Sequence, residues 1–374
     1  MSDIVRAGAT RTSAAAIPEV RGVLTAAQVL ASAESIAQVQ RPDGMIPWFD
    51  GGHCDPWNHV ESAMALSVCG LDAEAELAYE WLADRQLADG SWFNYYLAGG
   101  VKDQRLDTNV CAYVATGLFH HSLVTGDLDL ARRLWPTAER AIDFVLRWQR
   151  RDGSVTWSLD ASGLREGYAL LTGSSSIYHS LRCAMALAER LGKERPDWEL
   201  AAGRLGHAVA HHRRSFAPKH EFAMDWYYPM LAGALSLDGG RERMVAGWDT
   251  FVIEGRGVRC VSTGDWVTAA ETAECVLALD ALGMEATAHA VFAAGQGLRL
   301  PDGSYWTGMV FPAEETFPSG ERTTYTAAAM VLAADALSST TPAAGLFRGE
   351  SLPAGLDLAE STCTGAGGDC GLVG

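Results

Sequence analysis

A short signature recurs along the chain and constrains its fold more than any other feature. Each copy joins a glutamine to an Asp-Gly pair and an aromatic residue, in segments 40–48, 86–92, 149–157 and, more loosely, 296–306. Glycine tolerates positive φ, so each Asp-Gly pair predicts a turn that ends a helix, with the aromatic residue folded back over that end. The long interval before the fourth copy has room for further units, and we expect six in total.

Helical runs of two kinds alternate with these turns. Six are apolar and rich in alanine, as in buried helices: 60–68, 110–119, 177–187, 230–235, 267–279 and 326–337. Six are more amphipathic: 26–39, 73–85, 131–148, 199–212, 241–252 and 286–296. The alternation predicts an all-α (α/α)6 toroid, a barrel of six inner and six outer helices. We expect this toroid domain at residues 22–340, between a flexible N-terminal segment, 1–21, and a flexible C-terminal tail, 341–374.

Charge and hydropathy narrow the function classes. The formal net charge of -17 argues against nucleic acid or an anionic membrane surface as a partner, because both bind clustered basic residues. The chain has no apolar run long enough for a transmembrane segment. Residues 1–20 lack the unbroken apolar stretch of a signal peptide, which predicts a cytoplasmic protein.

The eight cysteines are scattered, and no two of them form a Cys-x2-Cys pair. Four fall in the apolar helical runs and are predicted to be buried, reduced thiols: Cys69, Cys111, Cys183 and Cys275. His53, Cys54 and Asp55 have no second pair of ligands at zinc-site spacing. We predict no cofactor, with Mg²⁺ and Zn²⁺ left open. The chain also lacks a P-loop, a dinucleotide fingerprint and a nucleophile elbow.

The first turns of the inner helices lie at one end of such a barrel, and polar residues concentrate there. The six openings are segments 55–61, 107–109, 172–179, 225–228, 265–271 and 321–325. Asp, Ser and Thr are also favoured helix caps, so any single one has a structural explanation. Five of the six openings nevertheless combine polar groups with Trp or Tyr, which capping does not require. A concave cavity with convergent polar groups is therefore predicted here as the active site.

Three carboxylates are the candidate catalytic residues: Asp107, Asp265 and Asp55. Other residues of the openings are candidates for substrate binding: Trp57, His59, Glu61, Asn109, Asp225, Trp226, Tyr227, Tyr228, Arg259, Trp266, Glu271, Arg322 and Tyr325. Asp55 lies four residues before His59 and could orient its ring, but a lone histidine at such a position is more often structural.

The signature resembles a known repeat. Gln followed by Asp-Gly-Ser-Trp after an amphipathic helix, best seen in 86–92, is similar to the QW repeat of squalene–hopene cyclases and related terpenoid cyclases. These enzymes share their toroid with protein prenyltransferase β-subunits, and the resemblance covers residues 22–340. The whole chain looks like small actinobacterial proteins labelled prenyltransferase or squalene-cyclase-like. The D-x-D-D motif of class II cyclases is reduced here to segment 106–109, with one carboxylate, Asp107, and the D-D-x2-D motif of class I synthases is absent.

The resemblance implies an isoprenoid enzyme as the main hypothesis. Aromatic faces in the pocket would stabilise a carbocation. Asp107 or Asp265, kept neutral by burial, would donate the proton, and Arg105, Arg259 or Arg322 would hold a diphosphate.

The polar openings support a second hypothesis, a carbohydrate-active enzyme of the glycoside hydrolase or lyase type. Such enzymes also use this toroid, with two carboxylates across the pocket as acid and base, and aromatic platforms for sugar rings. A third hypothesis is a binding toroid without catalysis. The expected substrate is thus a small molecule, either an isoprenoid or a glycan.

Overall fold

Both predicted rings of helices are present and both close. The computed structural model describes residues 16–160, 167–353 and 356. The outer helices are α1 (Ala26–Val39), α3 (Asp72–Arg85), α6 (Asp129–Leu146), α8 (Pro196–His211), α10 (Leu237–Phe251) and α12 (Glu285–Gly295). The inner helices are α2 (Pro56–Val68), α4 (Thr108–Ala112) with α5 (Val114–Thr125), α7 (Leu171–Arg190), α9 (Ala223–Leu231), α11 (Ala269–Ala281) and α13 (Thr324–Ser338).

The inner helices pack side by side around the barrel. Helix α2 contacts α5, and the ring continues through α7, α9, α11 and α13 back to α2. Nearly every residue of α2, α7, α11 and α13 is buried, because each of these helices is covered by inner neighbours and by the outer ring. The predicted all-α (α/α)6 toroid is confirmed, and its core is the interface between the two rings.

Three details differ from the sequence prediction. The second inner helix is interrupted at Tyr113, so it consists of α4 and α5. The fourth begins at Ala223 and ends at Leu231, earlier than the predicted run 230–235. The fifth begins at Ala269, and the residues from Trp266 to Thr268, expected in its first turn, form a strand instead. A short apolar segment of this kind can form a strand as well as a helix, because periodicity does not separate the two over three residues.

Short strands lie at the end of the barrel where the inner helices begin. Strands β1 (Tyr95–Leu97) and β2 (Gly100–Asp103) form a hairpin, and β3 (Leu106–Asp107) pairs with β4 (Ser158–Leu159). Five more form an antiparallel sheet in chain order: β5 (Val252–Ile253), β6 (Gly257–Arg259), β7 (Trp266–Thr268), β8 (Gly308–Val310) and β9 (Glu315–Thr316).

Backbone hydrogen bonds join these strands and their neighbours into a closed collar, made of segments 47–54, 94–107, 155–159, 167–170, 216–222, 257–268 and 307–323. Each segment bonds to the next. The links are Cys54 to Tyr96, Asp107 to Ser158, Trp157 to Tyr168, Ala169 to Ala217, Ala223 to Cys260, Val267 to Met309, Thr307 to Glu321 and Thr324 to Trp48. Because backbone bonds hold the whole perimeter, the first turns of the inner helices are presented on a fixed rim.

The repeat signature ties neighbouring outer helices together. The Gln86 side-chain amide donates to the Gly90 carbonyl at 3.0 Å and to the Thr137 carbonyl in α6 at 2.8 Å. A Cβ on Gly90 would lie 2.2 Å from the Arg140 oxygen of α6, so only glycine permits this approach. The other three glycines approach the next outer helix in the same way, Gly44 at Leu77, Gly153 at Arg204 and Gly303 at Ala31. Since Ala31 belongs to α1, the fourth copy closes the outer ring.

The aromatic residue of the signature has two roles, set by its distance from the glycine. Two residues after the glycine, Trp92 and Tyr305 are fully buried over a helix end, and the Trp92 indole donates to the Leu82 carbonyl at 2.8 Å. Four residues after the glycine, Trp48 and Trp157 lie in the collar instead. The predicted packing over helix ends therefore holds for the first pair and not for the second.

Residues 341–352, which belong to the expected tail, pack against the end of the barrel opposite the collar. Leu346 is buried, the Phe347 ring stacks on His179 at 4.9 Å, and Arg348 pairs with Asp280 at 2.7 Å. The division of the chain into a toroid and two flexible segments stays a prediction, and segments 1–15 and 357–374 lie outside the described residues.

The four cysteines predicted to be buried, reduced thiols are buried, and none forms a disulfide with a described cysteine. Among the described residues, no helix is long and apolar enough to cross a membrane.

Candidate active site

The mouth of the barrel, inside the collar, holds several carboxyl groups at inner-helix N-termini. Asp55 caps α2: its Oδ1 accepts from the Asn58 backbone N–H at 3.0 Å, and its Oδ2 accepts from the Trp48 indole and the Asn58 side chain, both at 2.6 Å. Asp55 is only 4% exposed. Burial raises the pKa of this carboxyl, and the bonds from Asn58 and Trp48 oppose that rise.

Asp107 repeats this arrangement on the next inner helix. Its Oδ1 accepts from the Asn109 and Val110 backbone N–H groups at 2.9 and 3.2 Å, and its Oδ2 accepts from the Trp157 indole at 2.6 Å. Burial, with a smaller contribution from the charge of Asp55, raises the pKa of Asp107 to about 6 against the opposing effect of its hydrogen bonds. The two aspartates are thus neighbours in the mouth, each a cap and each bonded to a collar tryptophan.

Glu271 lies in the first turn of α11, on the other side of α13 from Asp55. The Thr268 hydroxyl donates to its Oε2, and the side chain is partly exposed. Tyr325, in the first turn of α13, lies between the two carboxylates. Burial, then the charge of Glu271 and, more weakly, that of Asp55 raise the pKa of the Tyr325 phenol. Both carboxylates are therefore close enough to Tyr325 for their charges to act on its phenol.

Aromatic rings line the same mouth. The Tyr325 ring contacts Trp48 at 5.1 Å, and Trp48 also contacts Tyr95, the first residue of β1, at 5.9 Å. The Trp57 ring stacks on Tyr113 at 4.5 Å, and Trp57 donates to the Ser176 hydroxyl at 3.4 Å. Flat aromatic faces beside carboxylates are suited to binding pyranose rings, which have apolar faces and polar edges.

Below the mouth, the barrel narrows to a chamber of about 20 Å³, which has room for about one water molecule. Glu61, Glu274, Tyr113, Tyr228 and Phe347 are among its walls. The hydroxyls of Tyr228 and of its neighbour in α9, Tyr227, both donate to the Glu274 carboxylate. Burial raises the pKa of both Glu61 and Glu274. The charge of Glu274 also raises the pKa of Glu61, whereas the hydrogen bonds from Tyr227 and Tyr228 oppose the rise at Glu274.

Several predicted site residues are thus brought together. Asp55, Trp57, Asp107, Glu271 and Tyr325 lie around the mouth. Asn109 follows Asp107 in α4, and Asp225, in α9, accepts from the Thr172 hydroxyl of α7 at 3.0 Å. Glu61, Tyr227 and Tyr228 lie deeper, in the walls of the chamber or directly behind them.

Other predicted site residues lie elsewhere. Asp265 does not open an inner helix: it lies in the turn between β6 and β7, is largely exposed, and pairs with Arg259 at 3.0 Å. The adjacent Trp266 donates its indole N–H to the Phe317 carbonyl at 2.9 Å. Arg322 is exposed and pairs with Asp302 at 3.0 Å. In each case the extended collar turns the side chain away from the barrel axis.

Two further candidates are structural. The Trp226 indole faces α10, where it donates to the Arg243 carbonyl at 2.9 Å and stacks on Phe251. His59 is buried, with Nδ1 accepting from the Ile46 N–H at 3.1 Å and Nε2 lying 2.8 Å from the Ala78 carbonyl. Burial lowers the pKa of His59 to about 4. Asp55 does not orient this ring, because both nitrogens are occupied by backbone groups.

Sequence reasoning missed several residues of the site, among them Trp48, Tyr95, Tyr113, Trp157 and Glu274. A signal existed for the two tryptophans, since they stand four residues after the signature glycine whereas Trp92 stands two after it. No such signal marked Glu274, a carboxylate in the middle of an apolar run. Within the described part of the chain, no group of three or more His, Cys, Asp or Glu side chains is arranged to hold a metal ion.

Comparisons with known proteins point to one class of enzyme. No family model matches the chain. The MMP endo-(1,4)-3-O-methyl-alpha-D-mannosidase of Mycolicibacterium hassiacum is 53% identical over 342 residues, which are 91% of this chain and 95% of that protein.

Solved structures share the fold at low identity. A glycosidase in complex with glucose superposes with a TM-score of 0.65 at 14% identity, over 84% of this chain and 98% of its own. A rhamnosidase from Klebsiella oxytoca with rhamnose bound gives a TM-score of 0.60 at 16% identity, over 88% and 66% of the two chains.

The isoprenoid hypothesis, and with it membership of the terpenoid cyclase and prenyltransferase group, is wrong. A relative at 53% identity is a mannosidase, so the carbohydrate hypothesis has the better support. The physical reason for the error is that the signature is architectural. Its glutamines and glycines join outer helices, as Gln86 and Gly90 do, and carry no information about the substrate. Two glutamates, Glu61 and Glu274, also lie in the walls of the chamber below the mouth.

Proposed function

The chain belongs to the family of the Mycolicibacterium hassiacum MMP endo-(1,4)-3-O-methyl-alpha-D-mannosidase and is an enzyme, a glycoside hydrolase, and we propose that it cleaves internal (1,4) bonds of a methylmannose polysaccharide. The 53% identity along 95% of that mannosidase is the observation that carries the substrate class. The carboxylates around Tyr325 carry the chemistry, because glycoside hydrolysis needs an acid and a base on opposite sides of the bond.

We propose Asp55 as the general acid. Its burial favours the protonated form, which is the form that can protonate the leaving oxygen. Asp55 also lies at the centre of the acidic group, since its charge acts on Asp107, Tyr95, Glu61 and Tyr325. The Trp48 indole and the Asn58 amide hold the carboxyl in a single orientation, so little reorganisation is needed when the bond breaks.

Glu271 is the proposed base. It belongs to α11, which is the second neighbour of α2 around the circle of inner helices. The axes of neighbouring inner helices lie about 9 Å apart, so the axes of second neighbours lie roughly 16 Å apart. After the two side chains reach inward, several ångströms remain between the carboxyl groups, room for a water molecule beside the sugar. This favours an inverting reaction, in which Glu271 takes a proton from water as the water attacks the anomeric carbon.

Asp107 is proposed to bind hydroxyl or methoxy oxygens of a neighbouring sugar residue. It lies on the far side of Asp55 from Glu271, beside the stacked Trp57 and Tyr113 rings, and so belongs to an adjacent subsite. An enzyme that cuts within a chain needs such a subsite, because sugar residues continue on both sides of the cleaved bond.

Digestion of a methylmannose polysaccharide by the purified enzyme tests this proposal. We expect oligosaccharides of intermediate length in the mass spectrum early in the reaction, and proton NMR should show the inverted β anomer as the first product. Release of monosaccharide alone would contradict internal cleavage. Cleavage of other glycans with none of this polysaccharide would contradict the substrate, and an α product would contradict the role of Glu271.

A further inference from the structure

A second cavity lies outside the mouth, behind the β1–β2 hairpin. Its volume is about 290 Å³, and its walls are Asp43, Met45, Trp81, Arg85, Tyr96 and segment 97–101. Tyr95 and Tyr96 are consecutive in β1, at a shift in its register with β2, and they have different neighbours. Tyr95 contacts Trp48 in the mouth, whereas Tyr96 lines the cavity. The mouth and the cavity are therefore the two sides of one hairpin.

The walls combine aromatic, aliphatic and polar groups. The Trp81 ring meets Tyr96 edge-on at 5.3 Å, and the Arg85 guanidinium lies over the same indole at 5.3 Å. Arg85 also pairs with Asp43 at 3.6 Å, and both side chains remain about 40% exposed. Leu97 and Val101 add exposed apolar surface. Mostly apolar walls with a few polar groups are the usual composition of a small-molecule site.

One polar group of this cavity lacks a partner. Trp81 is only 3% exposed, and its indole N–H has no acceptor among the described residues. Buried donors are nearly always paired, so an unpaired one calls for an explanation. The nitrogen itself is covered by protein atoms, so a ligand oxygen could supply the missing acceptor only if the cavity wall shifted on binding. The exposed Asp43 and Arg85 could at the same time accept from and donate to ring hydroxyls.

We propose that this cavity is a second glycan-binding site, which holds a sugar residue of the same polysaccharide away from the cleaved bond. The proposal rests on the proposed function. The cavity fits because its size suits one hexose residue and its walls offer an aromatic surface with a polar pair. The hairpin strands have three and four residues, so about 10 Å separates the two sites along it. A chain bound in the mouth can therefore reach the cavity, and binding at two linked sites raises the affinity for long chains.

Filling the cavity tests the proposal. Gly99 lines it, is exposed, and has no heavy atom within 4 Å of the position that a Cβ would take, so Gly99→Phe adds a ring without a clash. We expect the KM for the long polysaccharide to rise about fivefold or more, with kcat/KM for a short oligosaccharide that fills only the mouth unchanged. Gly297→Phe is the matched control, because Gly297 is equally open but lies far along the chain in the outer ring.

Binding is also measured without catalysis. The indole N–H resonance of Trp81, assigned by its loss in Trp81→Phe, should shift when a methylmannose oligosaccharide is added to the Glu271→Gln variant, and Gly99→Phe should abolish that shift. An unmoved Trp81 resonance, or an unchanged KM for the long chain in Gly99→Phe, overturns the second site while cleavage by the wild type still supports the proposed function. Absence of cleavage overturns the proposed function, and the Trp81 resonance then decides the second site alone.

Discussion

The indole Nε1 of Trp157 donates to Oδ2 of Asp107 at 2.6 Å, across a sequence separation of 50 residues. Trp48 makes the same bond to Asp55 at 2.6 Å. In both pairs a tryptophan that follows a repeat turn reaches the cap of an inner helix. The repeat that closes the outer ring thereby also orients the two buried aspartates of the mouth.

Stability should depend on the ionisation of Asp107. Its pKa in the folded protein is about 6, raised mainly by burial from an ordinary value of 3.8. The folded state therefore binds this proton more tightly, so the stabilisation is complete below about pH 4 and is lost as the pH rises through about 6. Asp107→Asn still caps the helix but does not titrate. The free energy of unfolding of the wild type, relative to Asp107→Asn, should fall by about 3 kcal/mol between pH 4 and pH 7.

Urea denaturation at a series of pH values measures this difference. The comparison with Asp107→Asn cancels the pH-dependent contributions of carboxylates elsewhere in the chain, since both proteins share them. A difference that stays flat from pH 4 to pH 7 would show that Asp107 has the same proton affinity in the folded and unfolded states.

The proposed roles of the carboxylates predict an order of activities. Asp55→Asn and Glu271→Gln should each lower kcat by about a hundred-fold or more, because neither amide can transfer the proton. Asp107→Asn should mainly raise KM, because its proposed role is binding. Circular dichroism and thermal melting of each variant show whether it is folded. Wild-type turnover in a folded Asp55→Asn, with loss of kcat in Asp107→Asn, would transfer the role of acid to Asp107.

The tryptophan bonded to Asp55 should set the pH range of activity. The bond from the Trp48 indole lowers the pKa of Asp55, so its removal in Trp48→Phe should raise that pKa. A general acid must be protonated, and the high-pH limb of kcat/KM should therefore move to higher pH. Trp157→Phe is the control, since it removes the equivalent bond from Asp107. A shift in Trp157→Phe and none in Trp48→Phe would contradict Asp55 as the acid.

Replacing Gly90, which allows the close approach to α6, should lower the free energy of unfolding. Gly90 has φ +95, and a Cβ there would lie 2.2 Å from the Arg140 carbonyl oxygen. Gly126 has φ +70 with nothing within 4 Å of a Cβ, so Gly126→Ala reports the backbone strain alone. We expect about 1 to 2 kcal/mol of destabilisation for Gly126→Ala and clearly more for Gly90→Ala, because α6 must also move. Equal losses in thermal or urea unfolding would show that the contact with α6 contributes nothing.

Trp92 should matter to stability and not to turnover. It is fully buried and its indole bonds the Leu82 carbonyl at 2.8 Å, away from the mouth. Trp92→Ala should lower the free energy of unfolding by about 3 to 5 kcal/mol. Trp92→Phe, which keeps most of the packing, should cost much less. Activity per folded molecule, measured well below the melting temperature, should stay near that of the wild type; abolished turnover with unchanged stability would contradict this assignment.

The sequence by itself determined the two rings. Helix periodicity, apolar runs and Asp-Gly turns each depend on a few consecutive residues, so they can be recognised in the sequence. Eleven of the twelve ring positions have helices close to the predicted runs. The capping aspartates Asp55 and Asp107 were legible for the same reason, because a cap is defined by its own helix. The contacts of Trp48 and Trp157 with these aspartates were encoded only in the spacing of the signature. Both tryptophans stand four residues after its glycine, whereas Trp92 stands two residues after it.

The tertiary structure alone decided which polar residues meet. Asp265 and Glu271 are six residues apart, and the sequence favoured Asp265 as catalytic and Glu271 as binding. In the structure Asp265 is largely exposed and pairs with Arg259, whereas Glu271 is close enough to Tyr325 for its charge to act on the phenol. Glu274 becomes a wall of the chamber because α9 brings Tyr227 and Tyr228 to it from about 47 residues away. The directions of these side chains depend on how strands pair around the rim and how helices rotate against their neighbours. Those contacts join residues distant in the chain, and no local pattern encodes them.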